Sequence, residues 1–282
     1  MSTLSILEQL CFSTTRIETE NFAGKKFSGT GFFYELIIND KTIPLIVTNK
    51  HVVKNMKKGQ FRLTKSDSNG NPNCTEHFEI KYETDFVKMW YFHPDEEVDL
   101  CVLPIAPLLE YANNAGHSLF YRCLNDKLIP SQEQIADLDA VEDIIMIGYP
   151  NGLWDSVNNM PIIRKGITAT SVCRDYEGRK EFLIDAACFP GSSGSPVLMC
   201  DVGYFTDKKN GLYSGNRVYL LGILYAGPQL TVEGEIKVVT IPNVQKKALS
   251  VSHIPNNLGY VIKSERLLDF TEIFRPIINK NS

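Results

Sequence analysis

The sequence predicts an all-β fold in two halves of similar size, on three observations. Its apolar residues fall in short β-branched and aromatic runs, each bounded by Gly, Pro, Asn or Asp. Helical periodicity is confined to small pieces. The 282 residues, 43% of them hydrophobic, suffice for one large domain or two small ones with an ample core. In chain order, a helical piece opens the sequence (Leu4, Ile6, Leu7, Leu10), and strands are expected at 29–38 (GTGFFYELII), 44–48 (PLIVT) and 100–103. The polar stretch 113–131 joins the halves, and Ser131 caps a short helix over 132–138. Strands at 144–147, 182–184, 196–199, 218–225 and 260–262 build the second half. Ser264 N-caps a last helix with an apolar stripe of Leu267, Leu268, Phe270 and Phe274. Three stretches, 65–77, 201–216 and 228–258, read as long surface loops. Many short strands with turn-rich connections favour sheets that close and hide their edges.

Composition narrows the function. A net charge of −4 argues against a protein that coats polyanions. Lys54, Lys57 and Lys58 form a small basic cluster with no interleaved aromatic platform, so a solvated turn explains them and no nucleic-acid partner is expected. The longest apolar stretch, 218–227, is too short to span a bilayer, so no membrane role is expected. Seven cysteines without a C-x₂₋₄-C pair argue against a disulfide framework or a four-cysteine zinc site. Cys74 and His77 lack companions for a metal shell, and no metal or cofactor is expected. No P-loop or G-x-G-x-x-G is present. Glu8 interrupts the first apolar stretch and no basic residue precedes Arg16, unlike a secretory signal. Reduced cysteines without an export signal point to the cytosol.

The sharpest local signal is Pro190-Gly191-Ser192-Ser193-Gly194-Ser195-Pro196. Glycines around a serine permit a tight turn whose N–H groups converge on a developing oxyanion while the serine Oγ is exposed. The bland alternative is a Gly/Ser turn of any β protein. A nucleophilic serine needs a histidine base and an orienting carboxylate. His51 follows the apolar run 45–48, and Asp99 opens another at 100–103. Each taken alone is an ordinary structural residue. In the order His51, Asp99, Ser193, each beside an apolar strand, they form a set that chance rarely assembles.

Together these motifs resemble the chymotrypsin-fold, trypsin-like serine peptidases, in particular their HtrA/Deg-like branch. The resemblance is carried by Ser28-Gly29-Thr30-Gly31-Phe32, the base segment 47–53 (VTNKHVV), the acid segment 98–103 (VDLCVL), 147–153 (IGYPNGL) with 165–168 (KGIT), the nucleophile block 185–194 (DAACFPGSSG), 222–227 and 258–262. It implies two six-stranded antiparallel β-barrels at 24–125 and 126–263. A helical extension at 1–23 would precede them and a helix at 264–282 would follow, without a PDZ-like domain. It implies that Ser193 attacks, His51 shuttles the proton and Asp99 orients the imidazole. The N–H groups of Gly191 and Ser193 would bind the oxyanion, where losing one donor costs roughly 2.7–4 kcal/mol. Tyr225, Ala226 and Gly227 would pair with extended substrate backbone, and Ala187 and Cys188 would wall a P1 pocket without a counter-charge, suited to an apolar side chain.

Departures from the family pattern are equally readable. Ser192 stands where secreted members place an ion-pairing Asp, so activation by N-terminal clipping is not expected. Ser195 and Phe189 also depart from the pattern, with consequences for the resting shape of the oxyanion loop. An α/β-hydrolase would need G-x-S-x-G among alternating strands and helices, which is not the pattern here. A latent or inactive protease fold serving as a binding module, with a regulatory protein partner, is the alternative to an active endopeptidase. Cys188 reads as a small packing hydrophobe, and Trp90 and Trp154 as supports of core or loop.

Overall fold

A computed structural model describes residues 4–209, 211–227, 229–236, 248–255 and 257–280, with the backbone alone for 229–236 and 248–255. The first half holds β1 (Thr14–Asn21), β2 (Lys26–Ile38), β3 (Lys41–Thr48), β4 (Met56–Ser66), β5 (Pro72–Tyr82), β6 (Tyr91–Phe92), β7 (Cys101–Pro104), β8 (Leu119–Phe120) and β9 (Leu124–Asn125). The second half holds β10 (Asp143–Gly148), β11 (Ile162–Thr168), β12 (Glu181–Asp185), β13 (Pro196–Asp201), β14 (Tyr204–Thr206), β15 (Leu212–Ser214), β16 (Arg217–Ala226), β17 (Gln229–Ile236), β18 (Ala248–Pro255) and β19 (Leu258–Lys263). Six of these close a barrel in the order β10-β11-β12-β19-β16-β13.

The expected first barrel is instead an open sheet in the order β5-β4-β1-β2-β3-β7-β6, with β8 on β4 and β9 on β2. Closure would need β6 to pair with β5, and among the described residues the two-residue β6 pairs with β7 alone. Side chains fill the gap. Phe86, on the single turn Phe86–Met89, packs its ring 5.9 Å from Phe61 and 5.8 Å from Trp90. Gly59 of β4 admits that ring, since a Cβ there would lie 2.3 Å from it.

Period-two alternation along β2 couples the halves. Phe32, Tyr34, Leu36 and Ile38 face a core shared with Ile147, Leu198, Leu220, Ile223 and Ile262 of the barrel, whereas Phe33 faces the inner core of the first half. Phe270 and Phe274 of the C-terminal segment complete the shared core. Among the described residues, no helix is long and apolar enough to cross a membrane.

Local expectations held in part. Ser131 caps Gln132–Ala136 through a capping box with Gln134, two residues shorter than expected. Ser264 does not cap an α-helix: it begins a 3₁₀ segment, Ser264–Phe270, and the α-helix Thr271–Lys280 follows. Residues 14–21, expected within a helical extension, form β1 between β2 and β4. The expected loop 65–77 is mostly the β4–β5 hairpin, its turn built by Asp67 accepting the N–H groups of Asn69 and Asn71 at 2.8 Å each. The expected loop 201–216 contains the β14–β15 hairpin, and 228–258 contains the antiparallel pair β17–β18; residues 228, 237–247 and 256 lie outside the described residues.

Candidate active site

Strand register brings His51 and Asp99 together. Thr48 at the end of β3 lies opposite Cys101 at the start of β7, so antiparallel pairing sets residues after 48 against those before 101. Asn49 leads into the single turn Lys50–Val53 and donates from Nδ2 to the Asp99 carbonyl at 2.8 Å. Asp99 Oδ1 accepts the His51 backbone N–H at 3.0 Å, and Oδ2 meets His51 Nδ1 at 2.5 Å. Both carboxylate oxygens thus bind one residue. That pairing assigns the ring proton to Nδ1 and leaves Nε2 as the basic nitrogen. Lys50 Nζ donates to the carbonyls of Asp95 and Glu96, holding the acidic turn ahead of Asp99.

Ser193 leaves a turn whose shape its sequence dictates. The Ser192 N–H donates to the Phe189 carbonyl at 3.0 Å, with Pro190 and Gly191 between them and Gly191 at φ +89°. Proline then glycine in these two positions is the signature of a type II turn. A side chain is barred at Gly191 twice over, since a Cβ would also lie 2.5 Å from the Tyr149 carbonyl oxygen. The Pro190 carbonyl accepts the Asn151 N–H at 2.5 Å. The peptide is trans, so its other end, the Gly191 N–H, points the opposite way. Among the described residues, neither the Gly191 nor the Ser193 N–H has an acceptor. Ser193 Oγ donates to the Tyr225 carbonyl at 3.4 Å, and no hydrogen bond joins it to His51 among the described residues.

The remaining predicted residues line the same region. Ala187 is half-buried, and its carbonyl accepts from Arg164 Nη1 at 2.9 Å. Cys188 is buried against Gly259, where a Cβ would come 2.6 Å from its Sγ. Burial pushes the Cys188 thiol up to about 11, so the sulfur is neutral. Tyr225 turns its side chain away, donating to Glu181 Oε2 at 2.9 Å, while Ala226 and Gly227 are exposed at the end of β16. A register shift between Leu224 and Ala226 leaves Tyr225 without a partner on β19.

Other residues singled out by sequence settle elsewhere. His77 Nε2 meets its own neighbour's carbonyl, Cys74 O, at 2.9 Å, and no group of three potential metal ligands occurs among the described residues. Lys58 pairs with Glu83 at 2.9 Å on the surface. Trp90 is core, and Trp154 has the guanidinium carbons of Arg16 and Arg62 at 5.2 and 4.9 Å from its ring centroid. Sequence reasoning missed Arg164, which also lies 4.9 Å over the Phe189 ring, and the supporting role of Thr30, Thr48 and Asn151.

An HtrA-type protease (AlgW with a tripeptide) resembles this chain with a TM-score of 0.45 at 14% identity, over 94% of this chain and 60% of that one. This chain thus spans less than two-thirds of its length. The Rv3671c protease from M. tuberculosis in its active form gives a TM-score of 0.42 at 14% identity, over 93% and 80% of the two chains. The tobacco etch virus protease complexed with product gives 0.49 at 12%, over 98% and 83%. No curated protein matches the sequence. The family model for the trypsin-like peptidase domain matches residues 29–206, more than half of the chain and a span that includes His51, Asp99 and Ser193. The chain belongs to the trypsin-like peptidase family.

Proposed function

We propose that this protein is a serine endopeptidase in which Ser193 attacks the scissile carbonyl, His51 Nε2 takes and returns the proton, and Asp99 holds the imidazole in its tautomer. The observation that carries the reading is the two-point grip of Asp99 on His51, at 3.0 and 2.5 Å. The acceptor-free N–H groups of Gly191 and Ser193 support it as the oxyanion donors. Substrate enters as an extended or unfolded segment. It adds to the exposed backbone of Ala226 and Gly227 beside Tyr225, a form of strand addition.

The P1 side chain meets Ala187 and the neutral Cys188. An apolar residue suits these walls, and a basic one lacks a counter-charge. The proposed chemistry needs no metal, and a chelator is expected to leave turnover unchanged. All seven cysteines are free, and a reducing compartment, the cytosol, is where we place the enzyme. A second reading rests on the Ser193–Tyr225 contact, in which the hydroxyl donates to a carbonyl rather than to the base. On that reading the fold is a latent module that a regulatory partner switches on.

Labelling by a fluorophosphonate probe, read by intact mass, tests the proposal. One adduct on the wild type and none on Ser193→Ala is the expected result, with both proteins equally folded by circular dichroism. A folded wild type that takes no adduct overturns the active-enzyme reading in favour of the latent one. Cleavage by a clean Ser193→Ala preparation at the wild-type rate removes the nucleophile assignment altogether.

A further inference from the structure

We infer that Thr30 is the positioning residue through which the first sheet holds the oxyanion turn of the second barrel. The inference rests on the serine-peptidase reading above. Thr30 sits on β2, fully buried at 0% exposure. Its hydroxyl donates to the Gly191 carbonyl at 2.9 Å and accepts the Tyr149 N–H at 3.1 Å. Its backbone N–H donates to the Ser193 carbonyl at 2.9 Å, and its own carbonyl accepts the Thr48 hydroxyl at 2.7 Å. Every polar group of this one residue therefore reaches an element of the site.

The consequences follow from what those partners do. Gly191 and Ser193 carry the two acceptor-free N–H groups, and Thr30 grips the carbonyl of each. Holding the Gly191 carbonyl fixes the Gly191–Ser192 peptide, while Asn151 holds the Pro190–Gly191 peptide on the other side of the Gly191 Cα. Tyr149 lies two residues before Asn151, whose N–H holds the Pro190 carbonyl. Thr48 lies three residues before His51 and ends the strand that delivers it. Thr30 is thus the shared reference between base and oxyanion donors, which come from different halves. The approach is close enough that Gly194, at φ +89°, has no room for a side chain: a Cβ there would lie 2.0 Å from the Thr30 carbonyl oxygen.

The test compares Thr30→Val, which keeps the shape and deletes the hydroxyl, with Thr30→Ser, which keeps the hydroxyl. Steady-state kinetics and fluorophosphonate labelling are read beside amide exchange of the 189–194 segment. The expected result for Thr30→Val is a roughly 10- to 100-fold fall in kcat and labelling rate with KM within about threefold, because misplaced oxyanion donors act on the transition state. Exchange over 189–194 rises, and Thr30→Ser restores both readouts. If Thr30→Val does not fold, Thr30→Cys stands in, its weakly bonding thiol giving values between those of Thr30→Ser and the loss expected of Thr30→Val. Wild-type kcat and exchange in a folded Thr30→Val, or equal damage in Thr30→Ser, overturns the inference and leaves a packing role. A wild type inert to the probe sinks the peptidase reading instead, and exchange alone then decides whether Thr30 holds the turn.

Discussion

The barrel half closes its sheet with hydrogen bonds, whereas the first half leaves its sheet open and fills the gap with side chains. In the barrel every strand has two neighbours, and the turn that carries Ser193, the proposed nucleophile, hangs between β12 and β13. In the first half, β5 and β6 end the sheet without a further strand among the described residues, and Phe86 and Trp90 pack between them. The division matches what each half supplies. The proposed oxyanion donors, which must be aimed within a fraction of an ångström, sit on the closed frame. The proposed base and its carboxylate need chiefly each other, and they sit after β3 and before β7 on the open frame.

The largest effect that tests this contrast comes from core truncation in each half. Phe86 and Phe182 are both fully buried, and Phe→Ala in such sites costs about 3–5 kcal/mol. Phe182→Ala is expected to lower the melting temperature and raise amide exchange throughout. Phe86→Ala should release β4 and β5 first, by local opening, with the barrel strands still protected. Hydrogen exchange resolved by segment distinguishes them. Uniform exchange in both variants would mean that the two halves unfold as one unit and that the mode of closure has no energetic consequence.

A smaller effect tests the seam where the short strand β6 is held by the C-terminal segment. His93 has a fully buried side chain against the Phe270 ring. Its Nδ1 accepts the Asp95 N–H at 3.1 Å, and its Nε2 lies 3.1 Å from the Arg266 carbonyl and 3.2 Å from the Asp269 carboxylate. Burial dominates and lowers its pKa, opposed by the Arg266 carbonyl and Asp269 and assisted by the Arg266 charge. A histidine with a depressed folded pKa binds fewer protons folded than unfolded in the window between that value and about 6.5. Stability therefore rises with pH through the window and is lost on acidification below about 6.5. Melting temperatures from pH 8 to 5.5 should fall for the wild type and fall less for His93→Gln. Parallel curves would remove His93 from the acid response.

Legibility in the sequence follows the same contrast. The strands 144–147, 182–184, 196–199 and 218–225 were readable because barrel strands packed on a continuous core are near-continuous apolar runs. β1 (TTRIETEN) escaped because its buried positions are threonines, Thr14, Thr15 and Thr19, around the single Ile17, and the edge strand β5 (PNCTEHFEIKY) because only its Ile80 is buried. The exposure of Leu268 at 43% has a geometric cause: in a 3₁₀ segment, side chains three apart eclipse, so Leu267 and Phe270 share the buried side and Leu268 does not. His51, Asp99 and Ser193 announced themselves by residue type. Thr30 and Asn151 did not, because one acts through a buried hydroxyl and the other through a backbone N–H, neither of which has a compositional signature.

The smallest expected effect contrasts two hydroxyls beneath the same turn. Thr30 Oγ1 has both a donor and an acceptor partner, whereas Ser195 Oγ is buried with no partner among the described residues. The Ser195 backbone is fully engaged, its N–H on the Ser192 carbonyl and its carbonyl on the Leu224 N–H, each at 3.0 Å. An orphaned buried hydroxyl costs about 1–3 kcal/mol. Ser195→Ala removes that cost without disturbing a bond, so it should stabilise the protein by about 1 kcal/mol, a rise of about 2–4 °C in melting temperature for a chain of this size. Deletion of the neighbouring paired hydroxyl in Thr30→Val should move stability the other way. Differential scanning calorimetry of the two variants in one buffer gives the comparison. A destabilised Ser195→Ala would show that its hydroxyl is satisfied by a bound water, and the barrel side of the turn would then be as fully bonded as the sheet side.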